Sequence, residues 1–290
     1  MRILLATAGR PESRGALRVA SALARREQCP VLVLGVAMPF PHDLSTLVSM
    51  HQPMVIDEQN RRAILASVRR SLRNIDGADG WEKRVFVGMP PDEIQAVAER
   101  CNASLIVLGL GRHNRVDRIV GSETAVAVMR HTRIPVLAVR TNASRLPTRA
   151  VAAIDFTPAS LAAASLAAEL LAEDGTLVVA HVCAFGDSES RPGDLIDLYR
   201  AGARAKLDDA VRTLEMRTTR AVQGVMLEGD PGKSIVRYAR KDHCDLIALG
   251  GHEMGLVDRV LLGSVRTRVV RDAPCSVLIA PPDRVAAAAD

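Results

Sequence analysis

The sequence predicts an α/β protein made of two copies of one doubly wound domain. Three observations carry this. The second half of the chain repeats the first at an offset of 141 residues, short apolar runs alternate with longer amphipathic segments, and 290 residues hold two domains of ordinary size. Val87-Gly88-Met89-Pro90 returns as Glu228-Gly229-Asp230-Pro231, and Ser104 to Gly109 (SLIVLG) returns as Asp245 to Gly250 (DLIALG). Val116-Asp117-Arg118 returns as Val257-Asp258-Arg259, and Pro135-Val136-Leu137 as Ser276-Val277-Leu278. So long a period, with no shorter one inside it, means tandem domains rather than a solenoid.

The elements follow in order. In the first copy, strands are expected at residues 2–7, 31–36, 83–88, 105–109 and 136–140; in the second, at 150–154, 177–182, 223–227, 246–250 and 277–280. Most are apolar throughout rather than alternating, as in parallel strands covered on both faces. Helical patterns occupy 13–26, 58–74, 92–100, 160–173, 193–217 and 233–241, with a further helix start near Gly263. Right-handed crossovers then place helices on both sides of an open sheet. The Ala-rich stretch 159–168 reads as a close-packed helix. Domains are expected at 1–141 and 149–282, joined by a short tether carrying Asn142, Ser144 and Pro147, with a frayed tail beyond Pro282. Residues 38–54, with Met38, Met50 and Met54, form the least regular segment and read as a loop.

Composition excludes several classes. One Trp, two Tyr and four Phe leave little for base stacking, and a net charge of +5 is modest, which argues against nucleic acid. The five cysteines show no C-x-x-C spacing, and three border apolar runs, so they read as buried thiols in a reducing compartment. No run approaches the length of a membrane span, and the N-terminus reads as a strand rather than a signal peptide. The expected location is the cytoplasm.

Ligands of doubly wound sheets settle beyond the carboxyl ends of the strands. In the second copy three segments point there. Asp155 ends the first strand, where a carboxylate can accept from a base amine or a ribose hydroxyl, or simply cap a turn. The loop Leu249-Gly250-Gly251-His252-Glu253-Met254-Gly255 leaves the fourth strand, with glycines that let backbone N–H groups approach phosphates. Leu262-Gly263-Ser264-Val265 opens a helix, whose free N–H groups and dipole favour an anion.

These motifs resemble the universal stress protein family in tandem form. The resemblance rests on Asp155, Gly229-Asp230-Pro231, the strand Asp245 to Gly250, Gly263-Ser264, and the closing run Pro274 to Ile279 (PCSVLI), and it covers most of both copies. It implies two Rossmann-like domains, each an open five-stranded parallel sheet flanked by helices, packed as an intrachain pseudo-dimer through their last strands. A homodimer stays open. It further implies a role in stress response and ATP or AMP as ligand, with or without magnesium. By carry-over, Asp155 and Val182 hold the adenosine, and Gly250, Gly263, Ser264 and Val265 line the phosphates, with Gly251 and His252 also among the nucleotide-binding positions.

The second copy departs from the family loop at Glu253, where a glycine is expected; Gly255 follows two residues later. A carboxylate there repels a triphosphate unless a cation such as Arg259, His252 or magnesium offsets it. The first copy departs further. Ala8 replaces the aspartate, and the constant register puts Ser122 and Glu123 opposite Gly263 and Ser264. The first copy is therefore expected to have lost nucleotide binding.

Other motifs are set aside. Asp230-Pro-Gly-Lys-Ser234 lacks the upstream glycine of a P-loop and reads as a helix-capping turn, although Lys233 could reach a phosphate. His252-Glu253 has Leu256 where a zinc motif needs histidine, so no structural metal is expected. His181 reads as a packed histidine. No hydrolytic base has a clear role, so the chain is read as a nucleotide-binding regulator rather than an enzyme, with slow ATP hydrolysis at most. The alternative is a nucleotide-free interaction module with both sites degenerate; a nucleotide-dependent enzyme of the same fold ranks last.

Overall fold

The structure is a computed structural model that describes residues 1–39, 52–111, 121–184, 193–251 and 264–281. The chain divides into two compact units, residues 1–145 and 146–290. Thr141, at the end of the first, donates its hydroxyl to Glu12 O. Pro147 and Thr148 bond into the second, to Ala172 N and to the Asp245 carboxylate.

The first unit runs β1 (Ile3–Ala6), a 3-10 turn (Pro11–Ser13), α1 (Arg14–Arg26), β2 (Val31–Ala37), α2 (Gln52–Leu72), β3 (Glu82–Val87), α3 (Pro90–Arg100), β4 (Leu105–Leu110), α4 (Gly121–His131) and β5 (Val136–Arg140). The second runs β6 (Arg149–Ala153), α5 (Pro158–Leu170), β7 (Thr176–Cys183), α6 (Gly193–Glu215), β8 (Ala221–Glu228), α7 (Pro231–Lys241), β9 (Leu246–Gly250), α8 (Ser264–Asp272) and β10 (Ser276–Ala280). Within the first unit the strand order is β3-β2-β1-β4-β5, and within the second β8-β7-β6-β9-β10. All pairings inside each unit are parallel. In each unit the first strand is the turning point: the chain steps outward to one side, then returns to the other. The switch therefore lies between β1 and β4, and between β6 and β9.

The central strands are fully covered. Ile3, Leu4 and Leu5 of β1, and Ala150, Val151 and Ala152 of β6, lose all contact with solvent. That explains their unbroken apolar runs. The edge strands β3 and β8 alternate between exposed and half-buried residues; charged side chains such as Glu82, Lys83 and Arg84 sit there and discourage pairing with another chain. The Ala-rich helix α5 buries Ala159, Ala163, Ala164, Ala167 and Ala168, since small side chains let it lie close to the sheet.

Strands fall within two residues of their expected bounds. Three helices start two residues earlier than their periodicity suggests, at Pro90, Pro158 and Pro231. Proline at the first helical position has no N–H to lose and a φ already suited to the helix. Helix α2 begins six residues earlier, at Gln52. The irregular segment expected at 38–54 falls largely on residues 40–51, and the tail beyond 281 likewise lies outside the described residues.

Candidate functional site in the second unit

The site is assembled at the carboxyl ends of β6, β7 and β9. Two residues beyond β6, the Asp155 carboxylate accepts from Thr157 N at 3.1 Å and Thr157 Oγ1 at 2.5 Å. Thr157 in turn caps α5, accepting from Ser160 N at 3.3 Å. The β6–β7 register sets Ala153 beside Ala180, which brings Asp155 level with Val182. Val182 is half-buried.

Between them lies a feature that the sequence reading missed. Phe156 holds φ at +65°, a region that bulky residues rarely occupy. Its counterpart in the first unit, Gly9, has φ +71°, so both copies demand a left-handed residue here and only the first supplies glycine. The Phe156 ring packs on His181, with centroids 4.4 Å apart, and Lys206 Nζ stands 5.9 Å over its face. His181 is buried and its Nδ1 lies 2.9 Å from Ile154 O, so that nitrogen carries the proton. Tyr199 Oη approaches Nε2 at 3.5 Å. His181 is thus a packed, hydrogen-bonded residue, as expected.

Gly250 ends β9, and its missing side chain has a structural use. A Cβ there would lie 2.6 Å from Ser160 N and 2.8 Å from Ala159 C, so glycine is what lets the start of α5 sit on the strand. Gly251 donates its N–H to Ala280 O at 2.5 Å, and a Cβ there would lie 3.0 Å from the same oxygen. Val265 stands half-buried in the first turn of α8. His252, Gly263, Glu253 and the side chain of Ser264 lie outside the described residues.

The first turn of α8 also contributes Arg266, which sequence reasoning did not single out. Burial pushes its guanidinium below the usual value, while the charge of Asp155 opposes that shift. The Asp155 charge at the end of β6 thus acts on a half-buried cation from the first turn of α8. Nothing in the spacing distinguishes Arg266 from Arg268 or Arg271. The Gly9 counterpart, by contrast, could have flagged Phe156.

The Asp230 segment is a helix cap. The Asp230 carboxylate accepts from Lys233 N at 2.8 Å and pairs with Arg268 Nη1 at 3.0 Å through both oxygens, tying α7 to α8. The Lys233 N–H, then Arg268, hold this carboxyl below its ordinary value. Its stabilisation is therefore complete above the unfolded carboxylate pKa and is lost as pH falls through the lower folded value. Asp230→Ala is expected to cost about 1 kcal/mol at neutral pH. Asp230→Asn keeps the cap while removing that pH dependence. Urea midpoints at pH 7 and pH 3 check both.

Sheet register relates the two units residue by residue. Ile3 pairs with Leu105 and Ala150 with Leu246, and Leu105 and Leu246 are counterparts, so Ala8 corresponds to Asp155. Helices α3 and α7, and the ends of α4 and α8, keep the 141-residue offset, which makes Ala125 the counterpart of Arg266. The first unit thus has neither the acid nor the base.

Each unit is a doubly wound parallel α/β domain whose strand order reverses at its first strand. A family model described as "Universal stress protein family" matches residues 1–140 and 148–281. A universal stress protein of Thermus aquaticus is 31% identical over 42% of this chain and 88% of its own length. One from Methanocaldococcus jannaschii is 46% identical over 19% of this chain. The chain spans about a third of the length of the first two curated relatives it matches, 32% and 37%. Among solved structures, a universal stress protein from Archaeoglobus fulgidus superposes with a TM-score of 0.64 at 19% identity, covering 97% of this chain and 98% of that one. The chain belongs to the universal stress protein family, as a tandem two-domain member.

Proposed function

We propose that the second unit binds an adenine nucleotide, ATP or AMP, and that the protein is a stress-response regulator rather than an enzyme. The observation that carries this is the convergence of Asp155, Val182 and the Gly250-Gly251 turn at the β6–β9 switch point, beside the first turn of α8. In this reading Asp155 accepts from the ribose or base, Val182 and the Phe156–His181 pair wall the nucleoside, and Arg266 with the α8 N-terminus faces the phosphates. His252, Gly263 and Ser264 complete the phosphate side. The first unit, with Ala8 and Ala125, binds no nucleotide. Where ATP is the ligand, magnesium would arrive with it.

No helix among the described residues is long and apolar enough to cross a membrane. We place the protein in a reducing cytoplasm, in keeping with buried thiols at Cys183, Cys244 and Cys275; burial pushes the Cys244 thiol up to about 12.

One observation favours a nucleotide-free interaction module: the Asp155 carboxylate is engaged by Thr157 N and Oγ1, a capping role internal to the fold. Calorimetric titration with ATP, ADP and AMP, with and without magnesium, separates the two readings. The proposal expects saturable binding that Asp155→Ala weakens roughly tenfold or more. Absence of binding by all three favours the interaction module.

A further inference from the structure

The crevice at the switch point of the first unit contains a cavity of about 490 Å³, at the carboxyl ends of β1, β2 and β4. That volume is typical of a small-molecule site. Leu34, Val36, Ile64, Ile94 and Leu108 give it an aliphatic lining, and the charges among its described lining residues are Arg10 and Glu12.

Glu12 is the informative member. Its Oε2 is buried and has no hydrogen-bond partner among the described residues. A carboxylate oxygen in that condition is unfavourable until a donor meets it. Its place in the fold is fixed by the two strand-end glycines. A Cβ on Gly109 would fall 3.0 Å from Glu12 O and 3.1 Å from Ser13 Cα; on Gly250 it would fall 2.8 Å from Ala159 C and from Ser160 Cα. Glu12 is therefore the counterpart of Ala159. The carboxylate that the first unit lacks at Ala8 reappears at Glu12, on the turn that follows β1, in the same crevice.

We infer that the first unit is a ligand site of different chemistry: it takes an apolar, aliphatic or aromatic molecule with an amine head that donates to Glu12. The aliphatic walls hold the body by area burial, and the charge-assisted hydrogen bond selects the head. A nucleotide does not fit this chemistry. Its phosphates would meet Glu12, its ribose would find no acceptor at Ala8, and Ala125 stands where the second unit has Arg266. This inference holds whether or not the second unit binds a nucleotide.

The test uses the full chain and three probes of matched body: 4-phenylbutylamine, 4-phenylbutanol and 4-phenylbutyrate, titrated by calorimetry. The amine is expected to bind roughly tenfold more tightly than the alcohol, with the carboxylate weakest. Glu12→Gln, nearly isosteric, should bring the amine down to the alcohol without weakening the alcohol. Ala8→Phe should block all three, with an unchanged melting temperature showing that the fold is kept. Asp155→Ala and saturating ATP should change nothing. The inference is overturned if the amine fails to bind at millimolar concentration, if it binds no better than the alcohol, if its advantage survives Glu12→Gln, or if ATP displaces it.

Discussion

Gly250→Ala is expected to destabilise the second unit by about 2–3 kcal/mol. The added Cβ meets backbone atoms of Ala159 and Ser160 at 2.6–2.8 Å, and backbone at a helix start cannot rotate away as a side-chain tip can. To admit the methyl, α5 must lift from β9, opening the packing of Ala159, Ala163 and Ala167. The first unit supplies an internal control. The equivalent Gly109→Ala meets Glu12 O at 3.0 Å, a milder contact that a shift of a few tenths of an ångström relieves, so its cost should be about 1 kcal/mol or less. Urea unfolding gives the totals, and hydrogen exchange at β9 and α5 locates the effect. A Gly250→Ala chain as stable as the Gly109→Ala chain would show that close helix–strand approach is not why glycine stands there.

The charge of Asp155 acting on Arg266 predicts a second separable effect. Asp155→Ala removes an opposing charge that acts on a half-buried guanidinium, at a cost of about 0.5–1 kcal/mol, small because Asp155 is exposed and solvent screens it. Adding Arg266→Ala removes the uncompensated charge and should return most of that stability. It should not return nucleotide affinity, because a ligand that uses both groups loses both. Thermal melts and ATP titrations of the two single variants and the double variant form the cycle. If the double variant regains binding as well as stability, Asp155 acts only to neutralise Arg266, and the interaction-module reading gains.

Much of the fold was legible because parallel strands covered on both faces must be apolar throughout, as in Leu105 to Leu108 and Leu246 to Leu249. Helix starts were less so: periodicity registers a helix only once its buried stripe begins, whereas Pro90, Pro158 and Pro231 form the first turn without contributing to that stripe. In the site, Asp155 was readable as an acid at a strand end. Phe156 was legible only through its counterpart Gly9, a glycine at the same place after the first strand, whose left-handed angle it shares. Arg266 was hidden among neighbouring arginines, and only its burial and the charge of Asp155 acting on it distinguish it. Glu12 was not legible because it stands four residues past Ala8 and its counterpart in the second unit, Ala159, carries no charge. Seeing that the carboxylate had moved along the turn required the glycine contacts that align Glu12 with Ala159.

The central claim, a single adenine-nucleotide site in the second unit, is tested most directly by counting nucleotides released from the purified, unheated protein by mass spectrometry, beside an Asp155→Ala chain. The account predicts about one ATP, ADP or AMP per protein chain, lost in the variant. About two per chain would contradict the assignment of the first unit. None, together with no thermal shift on adding millimolar ATP and magnesium, would contradict nucleotide binding altogether.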